Sequence, residues 1–271
     1  MTVLITGGTG LVGSRLLRRL VDCGITCRAL VRNDKQFPPG VTAVKGDILD
    51  PASLVKAVEG VSAIVHLAAV LRTPDPDQIW SVNRDGTRNL IAAVKQYAAD
   101  ARFIMASTGL VYNMDGAKPG REDDEVAPTL PYPASKVAAE GALQNSGLNW
   151  SVLRFGFVYG DQDGHLETVP KLAAMFQWHP AMRLSMLHHA DIMTFVKLAL
   201  AGAADKRIVN LVDDAPMSIY EVAKLVGMPI ESSAEPLPNP WWGQLDGSFA
   251  RSLGFQPQVA TVHHAMRDGM L

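Results

Sequence analysis

Apolar residues fall along this chain in two rhythms, short unbroken runs and longer stretches spaced at three and four, and for more than half its length the two alternate. The first run, Val3-Leu4-Ile5, leads into Thr6-Gly7-Gly8-Thr9-Gly10-Leu11-Val12-Gly13 and then a helical pattern from Leu11 to Val21. That order predicts a strand, a glycine-rich turn and a helix. Thr26 to Arg32 reads as a second strand, and Val41 to Lys45 as a third, ending at Gly46-Asp47. Asp50 before Pro51 marks a helix start, with the aspartate as N-cap and the proline at the first helical position. Val61 to Ala69 is almost wholly apolar, as a strand covered on both faces of a parallel sheet must be. A helix over Gln78 to Ala98, a strand over Phe103 to Ala106, a helix over Tyr132 to Gln144 and a strand over Trp150 to Arg154 continue the series. Such alternation needs right-handed crossovers, so the fold class expected is α/β with a doubly wound parallel sheet.

Beyond Gly160 the rhythm loosens. Helices are expected over Leu166 to Phe176 and Asp191 to Ala201, and a strand over Arg207 to Leu211. Ser218-Ile219-Tyr220-Glu221 has the form of a capping box for a helix running to Val226. Pro229 to Pro240 is too rich in proline for regular structure, and Trp241 and Trp242 behind it are expected to fill the core of a small lobe. The division implied is a first domain over residues 1–160 and a smaller substrate-binding lobe over 161–271. The lobe's strands and helices interleave back onto the first domain, and it closes over the carboxyl ends of the strands.

Composition narrows the partners. The 271 residues carry a net charge of −2 with the basic side chains scattered, which points away from nucleic acid and anionic membranes and toward a small molecule. Cys23 and Cys27 are the only cysteines, too few for a disulfide framework or a four-cysteine metal site. The histidine pairs His188-His189 and His263-His264 lack ligand spacing, so no metal is expected. The first residues run straight into a core strand, with no signal-peptide pattern and no apolar run of membrane length. A cytoplasmic protein is the expectation.

The glycine-rich turn supplies the first chemistry. Its glycines fit Gly-x-Gly-x-x-Gly from Gly8 and Gly-x-x-Gly-x-x-Gly from Gly7, letting the backbone approach a pyrophosphate while the helix behind offers free N–H groups and a positive dipole end. At the end of the second strand, Leu30-Val31-Arg32-Asn33 has no carboxylate to bond a ribose hydroxyl. Arg32, with Lys35 nearby, suits a 2′-phosphate instead and favours NADP over NAD. Tyr132 and Lys136 stand four apart on one helical face, where an ammonium would stabilise a phenolate and fit the phenol for proton transfer. Ser107-Thr108 ends the fifth strand, at the edge where open α/β sheets bind ligands. No Gly-x-Ser-x-Gly elbow is present, which argues against an esterase.

Together these stretches resemble the extended short-chain dehydrogenase/reductase superfamily, built on the Rossmann fold and including nucleotide-sugar epimerases, dehydratases and related carbonyl reductases. The resemblance rests on Thr6 to Gly13, Gly46-Asp47-Ile48, His66-Leu67-Ala68-Ala69, Val82-Asn83 with Gly86-Thr87 and Asn89, and Ser107-Thr108. It extends through Val111-Tyr112, Tyr132 to Lys136, and Arg154 with Val158-Tyr159-Gly160. Weaker echoes lie in His188 to Asp191, Asn210-Leu211 and Ser252 to Pro257. It implies that Gly7, Gly10, Leu11, Val12 and Gly13 hold the pyrophosphate and that Asp47 and Ile48 hold the adenine. The backbone of Leu67, Ala68 and Ala69 would line the diphosphate and ribose, and Ser107, Phe155 and Val158 the cofactor's nicotinamide side. Lys136 would bond the nicotinamide ribose, Tyr132 exchange a proton with the substrate oxygen, and Thr108, the position found by counting back from Val111-Tyr112, polarise that oxygen. Dimerisation through the helices at Gln78 to Ala98 and Tyr132 to Gln144 is implied as well.

Two departures separate this chain from nucleotide-sugar enzymes. Phe157 stands where their Arg-x-x-Asn-x-Tyr-Gly pattern has asparagine, and the stretch after Gly160 is shorter. The expected function is therefore NADP-dependent reduction of a carbonyl or oxidation of a secondary alcohol, with Thr108 and Phe157 against the substrate and apolar groups such as Trp80, Met175 or Trp178 nearby. A nucleotide-sugar epimerase or dehydratase is the alternative with the same catalytic residues. A dinucleotide-sensing regulator is a third reading, disfavoured by the presence of Tyr132, Lys136 and Thr108.

Overall fold

The computed structural model describes residues 1–271. Six of the apolar runs form β1 (Thr2–Thr6), β2 (Thr26–Val31), β3 (Val41–Lys45), β4 (Ala63–His66), β5 (Arg102–Thr108) and β6 (Asn149–Phe155). Between them lie α1 (Leu11–Asp22), α2 (Val55–Val58), α3 (Pro76–Trp80), α4 (Thr87–Tyr97) and α5 (Pro131–Gln144). The remainder holds β7 (Phe157–Tyr159), α6 (Val169–Phe176), β8 (Arg183–Leu184), β9 (Met186–His188), α7 (His189–Leu200), β10 (Arg207–Leu211) and β11 (Met217–Ser218). After these come α8 (Ile219–Leu225), α9 (Ser248–Ser252) and α10 (Val262–Arg267).

Seven strands make one parallel sheet in the order β10-β6-β5-β4-β1-β2-β3. The chain direction across the sheet reverses between β1 and β4, and such a switch point opens a crevice at the carboxyl ends of the two strands. Both faces are covered. Leu16, Leu17 and Leu20 of α1 pack with Phe195 and Val196 of α7 on one side, while Leu90 and Val94 of α4 pack with Ala139 and Leu143 of α5 on the other. A third core, around Tyr159, Met186, Ile219, Val222 and Val262, lies under the C-terminal elements. The chain from 161 onward thus builds its own small core and also returns β10 to the main sheet beside β6.

Several elements differ from the pattern reading. The run Val61 to Ala69 is a strand only over Ala63–His66, because its partner β1 ends at Thr6 and the next residue, Gly7, turns away with φ 72°. The helix expected from Gln78 begins earlier, at Pro76, where the Asp75 carboxylate caps the Asp77 N–H. It also widens into a π-turn over Ser81–Gly86 before α4, and such turns concentrate at functional sites. Asp50 caps as its sequence indicates, but the first turn it starts, Pro51–Leu54, is 3-10. Ser218 and Glu221 form the capping box. Trp242 is half-buried against the third core, whereas Trp241 is 40% exposed, since the Asn239 side chain holds its N–H in a turn that directs neighbouring side chains apart.

One buried ion pair ties sheet to helix. Arg154 on β6 donates to Glu140 on α5 at 2.7 Å with both side chains 3% exposed, and it also donates to the Tyr112 hydroxyl, which donates to Asn210 on β10. The Ser107 hydroxyl donates to the same glutamate. Removing one partner strands the other charge away from water, so Glu140→Leu should cost about 3–5 kcal/mol in urea unfolding. Adding Arg154→Met should restore most of that loss; a double variant as unstable as the single one would show that the pair's charge is not the reason.

Candidate active site

Glycine is obligatory where the turn after β1 meets the chain after β4. A Cβ on Gly7, at φ 72°, would stand 2.7 Å from the Ala68 nitrogen, and one on Gly13 would stand 2.2 Å from the Gly7 carbonyl oxygen. Backbone therefore packs on backbone, leaving a cradle no side chain fills. The first bond within α1 runs from Ser14 N–H to Gly10 C=O, so the N–H groups of Leu11, Val12 and Gly13 precede the ladder. No side chain caps them and no acidic residue sits in the first turn, which leaves this positive end to an anion.

Behind the turn runs a hydrogen-bonded chain sealed from water. Ala68 N–H donates to Thr6 Oγ1, and Thr6 Oγ1 lies 2.6 Å from His66 Nδ1. His66 Nε2 lies 2.9 Å from Thr87 Oγ1, whose own proton goes to the Asn83 carbonyl at 2.6 Å. Because a carbonyl can only accept, Thr87 must receive from Nε2–H. Complete burial disfavours a second proton on the ring, so Nδ1 is the acceptor and Thr6 donates to it. Burial pushes the His66 pKa down to about 3, with the Lys136 charge acting in the same direction. The Asn83 side chain brackets Val70, accepting from its N–H and donating to its C=O, and donates to Ser135, whose hydroxyl donates to the Tyr132 carbonyl. The glycine turn and the start of α5 are joined by this chain.

Tyr132 and Lys136 face the same mouth from the first turns of α5. Burial raises the Tyr132 phenol to about 12, and a hydrogen bond with Thr108 opposes that rise. Lys136 is 2% exposed and makes no hydrogen bond or ion pair with another side chain, and burial lowers it to about 8 against the pull of Glu140 one turn on. Glu140 thus supports the charge of Lys136, and that charge in turn disfavours a proton on His66. An ammonium this deep without a partner fits a polar ligand such as a ribose hydroxyl.

The other residues singled out by sequence divide. Arg32 is exposed at the end of β2 and forms no salt bridge, free for a phosphate. Asp47 turns one oxygen to the Leu49 N–H, and Ile48 is buried against Gly86 with its carbonyl held by Asn89. The Ser107 hydroxyl is buried and donates to Glu140, while Thr108 beside it is half-buried at the end of β5. Phe155 and Val158 likewise bury their rings and methyls in the sheet core, leaving backbone to face a cofactor. Phe157 is half-exposed and stacks on His165 at 4.3 Å, while Trp178 packs instead on Phe176 and Trp242. Neither His165 nor the inward roles of His66, Asn83 and Thr87 was assigned from sequence; a lone histidine in an otherwise apolar strand was the one available signal. A cleft of about 540 Å³, lined by Ser14, Arg15, Arg18, Arg19, Asp22 and Asp161, shares no residue with this site. No helix is long and apolar enough to cross a membrane.

The chain is similar to known proteins. The pattern of the NAD dependent epimerase/dehydratase family matches residues 3–179. A dTDP-6-deoxy-L-talose 4-dehydrogenase (NAD(P)(+)) of Kitasatospora kifunensis is 30% identical over 98% of this chain and 93% of its own. Ceramide reductase of Caulobacter vibrioides is 30% identical over 75% of this chain, the match spanning 63% of that protein. Among solved structures, the Bordetella bronchiseptica enzyme WbmG in complex with NAD and UDP superimposes with a TM-score of 0.81 at 25% identity, covering 98% of this chain and 92% of that one.

His66 gives the site a pH signature. Its pKa is depressed in the folded state to about 3 from about 6.5 unfolded, so the unfolded chain takes up the proton first and stability falls as pH drops below 6.5. Between pH 7 and pH 5 this one group should cost about 2 kcal/mol. Wild type should accordingly lose about that much more than His66→Gln over the interval in urea unfolding; equal losses would show that the ring is not held neutral.

Proposed function

The chain belongs to the NAD-dependent epimerase/dehydratase family of extended short-chain dehydrogenases/reductases, and on that premise we propose that it is an NADP-dependent oxidoreductase reducing a carbonyl, or oxidising the matching secondary alcohol, of a small molecule. That it is an enzyme using a nicotinamide dinucleotide follows from the family; the substrate and the choice of NADP are the proposal. One observation carries it: Lys136, buried and without a side-chain partner, one turn beyond a tyrosine that meets Thr108.

The residues take the following roles. The N–H groups of Leu11, Val12 and Gly13 with the Gly7 cradle hold the pyrophosphate, Arg32 the 2′-phosphate, and Lys136 Nζ the nicotinamide ribose. The nicotinamide, when bound, supplies or accepts the hydride. Thr108 donates a hydrogen bond to the substrate carbonyl oxygen, and the Tyr132 hydroxyl gives that oxygen its proton as the carbon receives hydride. A phenol raised to about 12 keeps its proton at neutral pH, as a general acid for reduction must. Water returns the proton to Tyr132 afterwards.

Phe157 favours redox chemistry over nucleotide-sugar epimerisation. It offers no amide donor or acceptor, and each sugar hydroxyl left unpaired where water is excluded costs about 1–3 kcal/mol. The similarity to ceramide reductase supports an apolar carbonyl substrate, whereas the similarity to a dTDP-sugar dehydrogenase and to an enzyme seen with UDP favours the second reading. UDP- and dTDP-sugars should accordingly bind weakly in calorimetry while apolar ketones or aldehydes are turned over; micromolar binding with epimerisation seen by NMR would promote the second reading.

Tyr132→Phe should lower turnover roughly 10²- to 10⁴-fold while leaving dinucleotide affinity within a few-fold. Near wild-type turnover in that variant would remove Tyr132 from the mechanism. In fluorescence titrations NADP should bind more tightly than NAD, with a preference that shrinks as salt rises and disappears in Arg32→Ala. Equal affinity for both dinucleotides in wild type would overturn the role of Arg32.

A further inference from the structure

Arg72 lies in the segment that follows β4, two residues beyond Val70, whose backbone is bracketed by Asn83. It is exposed and has one hydrogen bond, from its guanidinium to Nε2 of His165 at 3.1 Å. Arg84, Arg102 and Arg251 each meet a carboxylate, but Arg72 meets none. His165 is fixed in turn: its Nδ1–H donates to the Val158 carbonyl at 2.8 Å, and its ring lies on Phe157 at an interplanar angle of 18°. An imidazole that donates through Nδ1 and accepts through Nε2 is neutral, so it orients the guanidinium without cancelling its charge. Burial and the Arg72 charge both lower the His165 pKa, in keeping with that state. The one carboxylate near the ring, Asp163, already accepts from the His165 N–H and from His189.

Topology places this contact at the carboxyl end of the sheet. Arg72 leaves β4, and Phe157, on which His165 stacks, stands two residues beyond β6; β5 lies between β4 and β6 and ends at Thr108. The contact therefore joins the segments that leave the two neighbours of β5. It brings together an uncompensated guanidinium, with most of its five N–H donors free, and the exposed edge of a stacked aromatic pair.

Resting on the carbonyl-reductase reading, the geometry points to a substrate that is an acid: an oxo or hydroxy acid whose carboxylate pairs with Arg72 while its apolar portion lies along Phe157 and His165. One guanidinium matches one carboxylate in charge and in bidentate geometry. A nucleoside diphosphate would bring more negative charge than this single cation offsets and would meet a wall without donors.

The test uses the full chain saturated with whichever of NAD⁺ or NADP⁺ it binds more tightly, and three unreactive probes of one chain length: hexanoate, hexanamide and hexyl phosphate. Calorimetry should show hexanoate bound at least tenfold more tightly than hexanamide and no less tightly than hexyl phosphate, with an affinity that falls as salt rises. Arg72→Ala should weaken hexanoate roughly 10- to 100-fold and leave hexanamide unchanged. His165→Phe, which keeps the stacking but removes the acceptor, should weaken hexanoate less than Arg72→Ala does. Equal binding of acid and amide, or hexanoate affinity untouched in Arg72→Ala, would overturn the inference, and tighter binding of hexyl phosphate would replace the carboxylate by a phosphate. Tyr132→Phe should keep the hexanoate affinity, so failure of the catalytic reading shows in turnover alone.

Discussion

A carbonyl oxygen that can only accept, together with the complete burial of His66, fixes the direction of every proton between Asn83 and Thr6. Asn83 C=O takes the Thr87 proton, Thr87 takes the Nε2 proton of His66, and His66 Nδ1 takes the proton of Thr6. With His66 and Thr87 fully buried, no water can substitute for a missing partner. Each group orphaned by a substitution carries about 1–3 kcal/mol of lost solvation, which is a large fraction of a domain's net stability. The cradle for a pyrophosphate and the start of α5 are consequently held by one set of bonds. The π-turn at Ser81–Gly86 belongs to the same device, since it sets the backbone that presents both the Asn83 carbonyl and its side chain inward.

Charge is arranged around that neutral chain in steps. Lys136 is buried and has no side-chain partner, so its ammonium is costly unless a neighbouring charge or ligand offsets it. Glu140, one turn further along α5, offers part of the compensation but is already bound by Arg154 and Ser107. A ligand hydroxyl at Nζ would supply the rest. The ion pair in the core and the buried ammonium are thus successive members of one series, and the helix that carries two of them is anchored to β6 through Glu140 and to Asn83 through Ser135.

Most of the sheet was legible because strands buried on both faces must be apolar runs, and Val3 to Ile5 and Ala63 to Val65 show it directly. What sequence could not supply was where a strand stops for want of a partner, as at His66, or where a helix widens, as at Ser81. These depend on neighbours distant in sequence. Spacing placed Tyr132 and Lys136 on one face, yet it could not say that Lys136 would be buried with Glu140 one turn on supporting its charge. Adjacent Ser107 and Thr108 could not be told apart by residue type; alternation along β5 buries the first against Glu140 and leaves the second half-buried at the strand's end. Trp241 and Trp242, in a turn, separate too: the first is exposed and the second packs against the third core.

The substrate end was least legible because its parts come from three places in the chain. Arg72 follows one strand, Phe157 begins another, and His165 sits in an irregular segment, with no spacing rule to link them. Only the fold brings them into contact. Phe157 alone suggested an apolar wall, and a ring with free faces would have favoured any flat apolar compound. With His165 on one face, that ring presents an edge and its remaining face instead, and the same imidazole sets a cation beside it. On the proposed reading, specificity then follows from side chains acting on one another, with His165 set by Phe157 and Arg72 set by His165.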